Sequence, residues 1–174
     1  MTLNSFQFNT TPGLRFGRGQ AKDCCKEISN KLGQRILFVS DKSLMSLGLT
    51  DNTLKELQKM SSVQIFDEVE ADPSQKTLLK AIEVGNKFKA TGVIGFGGGS
   101  SMDVAKLAAL ILGSNENLEE AWGVANAKGP RLPLALIPTT AGTGSEVTPI
   151  SIITVGEEEK KGVSSALILP DLAI

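Results

Sequence analysis

Short apolar runs alternate with amphipathic stretches along most of this chain. Arg35 to Ser40 (RILFVS), Val63 to Phe66, Val93 to Phe96 and Leu132 to Ile137 (LPLALI) have strand length and read as buried strands. Between them the apolar spacing turns helical. Ala21, Cys24, Cys25, Ile28 and Leu32 predict a helix over 20–32 that stops at Gly33. A helical turn is predicted over 42–48, and a helix from Asp51, as its cap, to about Met60. Asp72-Pro73-Ser74 opens another over about 74–89, with Leu78, Leu79, Ile82 and Phe88 facing inward. A short helix is predicted around Leu118–Trp122, with Trp122 as a core anchor. At the ends, residues 6–17 suggest a hairpin around Thr11-Pro12-Gly13. Val147–Val155 and Val163–Leu169 suggest two strands joined by a charged turn, Glu157 to Gly162. Strands alternating with helices predict an α/β domain: a mostly parallel sheet, helices on both faces, and a C-terminal β-hairpin.

One stretch organises the rest: Thr91 to Lys106, TGVIGFGGGSSMDVAK. It predicts a buried strand, a glycine-rich turn and a helix running through Leu107, Ala108, Ile111 and Leu112 to Gly113. Gly97, Gly98 and Gly99 have no Cβ, so phosphate oxygens can approach their backbone N–H groups. Ser100 or Ser101 is placed to cap the helix, whose positive end points at the same spot. Together these make an anion site suited to a pyrophosphate. The spacing is not the usual dinucleotide pattern, because Gly95-x-Gly97-x-x arrives at Ser100. No Gly-Lys-Ser/Thr follows, which excludes a Walker A loop. Four glycines among residues 95–99 exceed what a turn requires and suggest a close backbone approach.

Two further loops lie just past strand ends, where ligands of parallel sheets bind. Asp41 follows the Arg35–Ser40 run. A carboxylate there can accept hydrogen bonds from both hydroxyls of an adenine ribose and repel a 2′-phosphate, favouring NAD over NADP. Equally, it can cap the helical turn behind it. Thr139-Thr140-Ala141-Gly142-Thr143-Gly144-Ser145-Glu146 offers hydroxyls and amides suited to a phosphate or ribose. Asp103 and Lys106 stand one helical turn apart, either as a surface pair or facing the ligand from the first turns of the helix.

Composition narrows the classes. With 41% hydrophobic and 21% charged residues and a net charge of -1, the chain of 174 residues has an ordinary globular profile. Nothing suggests nucleic acid or a membrane as partner. Cys24 and Cys25 are too few and too close for a disulfide framework, so they read as core residues of a cytoplasmic protein. There is no histidine and no tyrosine, which removes the commonest general base and transition-metal ligand. The chain stops inside an apolar run, Ala166 to Ile174. It is therefore expected to be the front part of a longer polypeptide, with residues 1–174 as one dinucleotide-binding domain.

GGGSSMDVAK at 97–106, IPTTAGTGSEVTP at 137–149 and the strand end at Asp41 carry a specific likeness. Over essentially its whole length the chain resembles the N-terminal, cofactor-binding half of iron-dependent (group III) alcohol dehydrogenases. The resemblance implies a Rossmann-like, dehydroquinate synthase-like domain that binds NAD or NADP. It implies pyrophosphate contacts at Gly97, Gly98, Gly99 and Ser100, with Asp103 on the same helix. Thr139, Thr140 and Thr143 match the second cofactor loop, Ile152 and Lys161 the nicotinamide end, and Asp41 the ribose-side acid. The family's Fe2+ or other divalent metal is held by one Asp and three His of a following helical domain. On this view the 174 residues bind cofactor without turning over an alcohol or aldehyde, and the protein assembles as a homo-oligomer, a dimer. Sugar-phosphate cyclases and glycerol dehydrogenases resemble the same fold but do not typically read on as AGTGSE. A nucleotide-binding module without catalysis is the reading from another class.

Overall fold

The computed structural model describes residues 9–174. Its first helices are α1 (Gln20–Asp23) and α2 (Cys25–Leu32), the expected helix broken at Cys24, whose thiol turns back to Gln20. β1 (Arg35–Val39) follows. Asp41 then caps the short α3 (Lys42–Ser46), and α4 (Asp51–Leu57) leads to β2 (Ser62–Phe66). Asp51 is the first residue of α4 and Thr50 holds the cap position without a side-chain bond. Ser74 caps α5 (Gln75–Phe88), accepting from Thr77 N. Here Leu79 stays half exposed, against expectation, while Leu78, Ala81 and Ile82 take the inner face.

β3 (Gly92–Gly97) runs into α6 (Gly99–Ser114). After α7 (Leu118–Ala121) come β4 (Gly123–Val124), β5 (Leu134–Pro138), β6 (Ile150–Val155), β7 (Glu159–Ser164) and β8 (Leu172–Ala173). The main sheet has the order β2-β1-β3-β5-β8, and every pair in it is parallel. Its three central strands are buried on both faces, as an internal parallel sheet requires. Alternate residues serve opposite cores. Leu37, Val93, Leu134 and Leu136 pack under α5 and α6. Ile36, Phe38, Ile94, Phe96 and Ile137 pack under α2 and α4, where the Phe38 and Phe96 rings stack 5.7 Å apart. Cys24 and Cys25 belong to this second core, and burial raises both thiols, Cys25 to about 11. Trp122 packs against the first core, as expected.

Further expectations are corrected. Residues 6–8 of the proposed N-terminal hairpin lie outside the described residues. Residues 9–17 pair not with a neighbour but with the far end of the chain: Ala173 N donates to Gly13 O, and Arg15 N to Ala173 O. The charged turn is shorter than predicted. Gly156, at φ 64°, closes it tightly, so Glu159, Lys160, Lys161 and Gly162 are strand residues paired with β6. The second strand also ends sooner, at Ser164; Ser165 caps a 3-10 turn over 166–168, and the chain rejoins the main sheet as β8.

α6 explains much of the packing. Met102, Val104, Ala105, Leu107, Ala108, Ala109 and Leu110 are all fully buried, so the helix has apolar neighbours nearly all round. It touches β3, β5, α5 and β6. The three-stranded sheet β4-β7-β6 covers its far side. Its closeness to β3 depends on Gly95: a Cβ there would lie 2.7 Å from Ala105 Cβ and 2.8 Å from Leu136 Cδ2. Gly95→Ala is therefore expected to destabilise the fold by about 1–3 kcal/mol through overpacking, measured by urea denaturation. An unchanged midpoint would mean that α6 can lift off β3 freely.

Candidate functional site

The strand order reverses between β1 and β3, because the chain steps outward from β1 to β2 and then returns to the other side of β1. Open parallel sheets take ligands outside the strand ends at such a point. A cavity of about 650 Å3 lies there, and Asp41, Leu44, Gly98, Ser100, Thr139 and Thr140 are among its walls. A second cavity, of about 560 Å3, lies between the start of α5 and the β6–β7 turn, away from all three loops.

The glycines divide by role. Gly95 serves the helix packing described above. Gly97 has φ 153°, and a Cβ on it would sit 2.6 Å from Ser101 Oγ, so the turn itself requires glycine. Gly98 has φ -75° and Gly99 is helical; added Cβ atoms there would meet nothing closer than 3.6 Å and 3.3 Å respectively. Internal packing thus accounts for Gly95 and Gly97 and makes no such demand at Gly98. Gly98 is the N-cap of α6, and no side chain caps the helix. Ser100 and Ser101 lie inside the first turn, so neither is the cap. A helix leaves its first N–H groups without partners inside the helix, and here they stand at the cavity.

The threonine loop is fastened to this turn, because Thr139 N donates to Gly97 O at 2.9 Å. Thr140 lies beside Gly98 and Thr143 beside Gly99. All three threonines are exposed. On the opposite wall Asp41 Oδ1 accepts from Leu44 N at 2.9 Å, so the capping role read from the sequence is real. The same carboxylate lines the cavity. Asp67, Glu68 and Glu70 line it too and went unnoticed in the sequence, although they directly follow the end of β2. Glu68 pairs with Lys80. Glu70 accepts from Ser74 N and Thr77 Oγ1, which hold its carboxyl below the usual range despite the opposing effect of burial. The cavity therefore has an amide-rich wall and, facing it, a wall of carboxylates with Lys42 among them.

Asp103, Ile152 and Lys161 are not among the walls of this cavity. Asp103 Oδ2 accepts from Ile152 N at 3.0 Å, turning the carboxylate toward β6. Burial raises its pKa, against the Ile152 amide and the Lys106 charge. Ile152 is half exposed on β6, and Lys161, in β7, has its Nζ 3.8 Å from Glu119 Oε2. Lys106 is neither on the surface nor facing the cavity. It is fully buried and donates to Thr148 O and Ile150 O. Among the described residues no three His, Cys, Asp or Glu gather as a metal site, so the residues present do not fit a bound iron.

Comparison with known proteins points to one family. Residues 11–174 match the family model described as iron-containing alcohol dehydrogenase. Over 167 residues the chain is 36% identical to long-chain-alcohol dehydrogenase 1 of Geobacillus thermodenitrificans, covering 94% of this chain and 42% of that protein. Over 169 residues it is 30% identical to an NAD-dependent methanol dehydrogenase of Bacillus methanolicus, covering 96% and 44%. It superposes on a solved 1,3-propanediol oxidoreductase with a TM-score of 0.93 and 28% identity, over 98% of this chain and 45% of that one. The chain thus spans less than half the length of these relatives.

Gly98→Val should separate ligand approach from packing. The backbone there suits any residue and the Cβ has room, so the melting temperature should hold. Dinucleotide affinity should fall at least roughly tenfold as amide–phosphate hydrogen bonds are blocked. Fluorescence titration beside a thermal melt checks both, and full affinity in the variant would make the loop a turn only.

Proposed function

Because the chain belongs to the iron-containing alcohol dehydrogenase family, we propose that residues 1–174 form its dinucleotide-binding domain and take NAD(H) in the cavity between β1 and β3. The observation that carries this is the meeting of three strand-end loops at one uncapped helix N-terminus. In this reading the first amides of α6, from Gly98 to Ser100, hold the pyrophosphate, supported by the close turn at Gly97. Thr139, Thr140 and Thr143 donate hydroxyls to the phosphates and ribose beside them. Asp41 accepts from the adenine ribose. Ile152 and Lys161 flank the nicotinamide, and Asp103 holds Ile152 in place. Bound nicotinamide supplies hydride transfer to or from an alcohol or aldehyde. The Bacillus methanolicus relative is named for NAD and methanol, which supports both cofactor and substrate class.

No metal role is drawn from these residues. The proposal extends to a dimer, supported by exposed Leu14 and Phe16 beside the β8 edge. It extends also to a cytoplasmic location, in keeping with two free cysteines. No helix among the described residues is long and apolar enough to cross a membrane.

Cofactor choice tests the proposal. In this reading the Asp41 carboxylate, on the cavity wall, leaves no place for a 2′-phosphate, so NADH should bind more tightly than NADPH in calorimetric titration. Asp41→Gly should narrow or reverse the gap while removing only a few tenths of a kcal/mol of helix capping. Equal affinities in the unmutated chain would overturn the role of Asp41, and binding of neither would overturn the proposal.

A further inference from the structure

A lysine with no exposed surface requires an account. Lys106 Nζ donates to Thr148 O at 2.9 Å and to Ile150 O at 2.7 Å. The nearest carboxylate oxygen, Asp103 Oδ1, stands 4.0 Å off. One turn earlier Asp103 Oδ2 accepts from Ile152 N, and Asp103 O accepts from Ser151 Oγ, each at 3.0 Å. Four hydrogen bonds thus join one turn of α6 to Thr148–Ile152. β6 belongs to the smaller sheet and shares no strand pairing with the main one, so this junction ties it directly to the helix that begins at the glycine loop.

We propose that Lys106, together with Asp103, is a positioning residue that fixes β6 relative to the glycine loop and so sets the nicotinamide end of the site against its pyrophosphate end. This rests on the cofactor reading above. Lys106 itself touches no cofactor. Burying an ammonium carries a desolvation penalty that an apolar side chain of similar length avoids, so stability alone gives no reason for lysine here.

Charge effects distinguish positioning from stability. The ionisable groups acting on Lys106 are Asp103 on α6 and Glu146 in the 3-10 turn over 145–147, while β6 presents carbonyls. Burial outweighs both carboxylates and lowers the lysine from 10.5 to about 8. Between these values the unfolded chain keeps a proton that the folded chain has released, so this group's contribution to stability rises with pH. Over the same window its charge-assisted bonds to Thr148 and Ile150 weaken, and the grip on nicotinamide should loosen. A purely stabilising side chain would not produce opposite trends.

The test uses Lys106→Met and Ser151→Ala in the 174-residue chain. Each is titrated by calorimetry with NADH and with ADP-ribose, which lacks the nicotinamide, at pH 7 and pH 9. Lys106→Met is expected to weaken NADH roughly tenfold, the scale of a lost charge-assisted hydrogen bond, and ADP-ribose less than about twofold. Ser151→Ala should show a smaller loss in the same direction. Unmutated chain should lose NADH affinity from pH 7 to pH 9, and Lys106→Met should not. The melting-temperature difference, unmutated minus Lys106→Met, should rise over that interval. Equal losses for both ligands, or no pH dependence of NADH binding, would overturn the proposal. If Lys106→Met does not fold, the two ligands' response to Ser151→Ala and the pH dependence of the unmutated chain decide by the same criteria. Failure of the unmutated chain to bind either ligand would instead overturn the cofactor reading.

Discussion

The structure depends on how closely α6 lies on β3. Gly95 leaves no atom between the strand and Ala105, and Gly97 turns the chain where a side chain would strike Ser101. With both glycines in place the helix starts one residue beyond the cap at Gly98, and its N-terminus comes out at the carboxyl end of the sheet. The same closeness puts Met102, Ala105 and Ala109 among fully buried neighbours, so core and site depend on one contact. A wider separation would empty the core and move the amides away from the loops that face them.

The electrostatics of the cavity follow from that placement. One wall consists of backbone N–H groups at the positive end of a 16-residue helix. The other carries Asp41, Asp67, Glu68 and Glu70, with Lys42 among them. A ligand with anionic groups at one end and hydroxyl donors at the other matches both walls, and the reverse orientation matches neither. In the proposed reading, polarity of this kind turns the pyrophosphate of a dinucleotide toward the amides.

Much of this was legible in the sequence because parallel strands and their flanking helices leave strong local patterns. Arg35–Ser40 and Val93–Phe96 are apolar on both faces, and Gly33 and Ser74 sit where helix ends need them. The glycine and threonine loops were recognisable from residue type. What stayed hidden was decided by distant partners. The segment after Thr11 pairs with Ala173, 159 to 160 residues away in sequence from Leu14 and Gly13; no local pattern encodes such a contact. Glu159 to Gly162 look like a solvated turn because β7 sets charged residues on an exposed strand. Lys106 carried no sign of burial, since a lysine at helical spacing from an aspartate usually marks a surface pair. The acids after β2 went unnoticed for want of a motif, although their position past a strand end was itself a signal.

The capping role of Asp41 leaves room for the proposed ligand role on the same side chain. Its Oδ1 is held by Leu44 N, which fixes the carboxylate plane before any ligand arrives. An ionised carboxylate has about four acceptor sites, and the cap uses one. The remaining sites line the cavity, so in the proposed reading the ribose meets an acceptor already oriented by the helix behind it. Ordering of that side chain then belongs to folding rather than to binding, which is the general advantage of preorganisation. The cap and ribose readings of Asp41 are therefore compatible. In that reading, capping supplies the rigidity with which one carboxylate would discriminate between a hydroxyl and a phosphate.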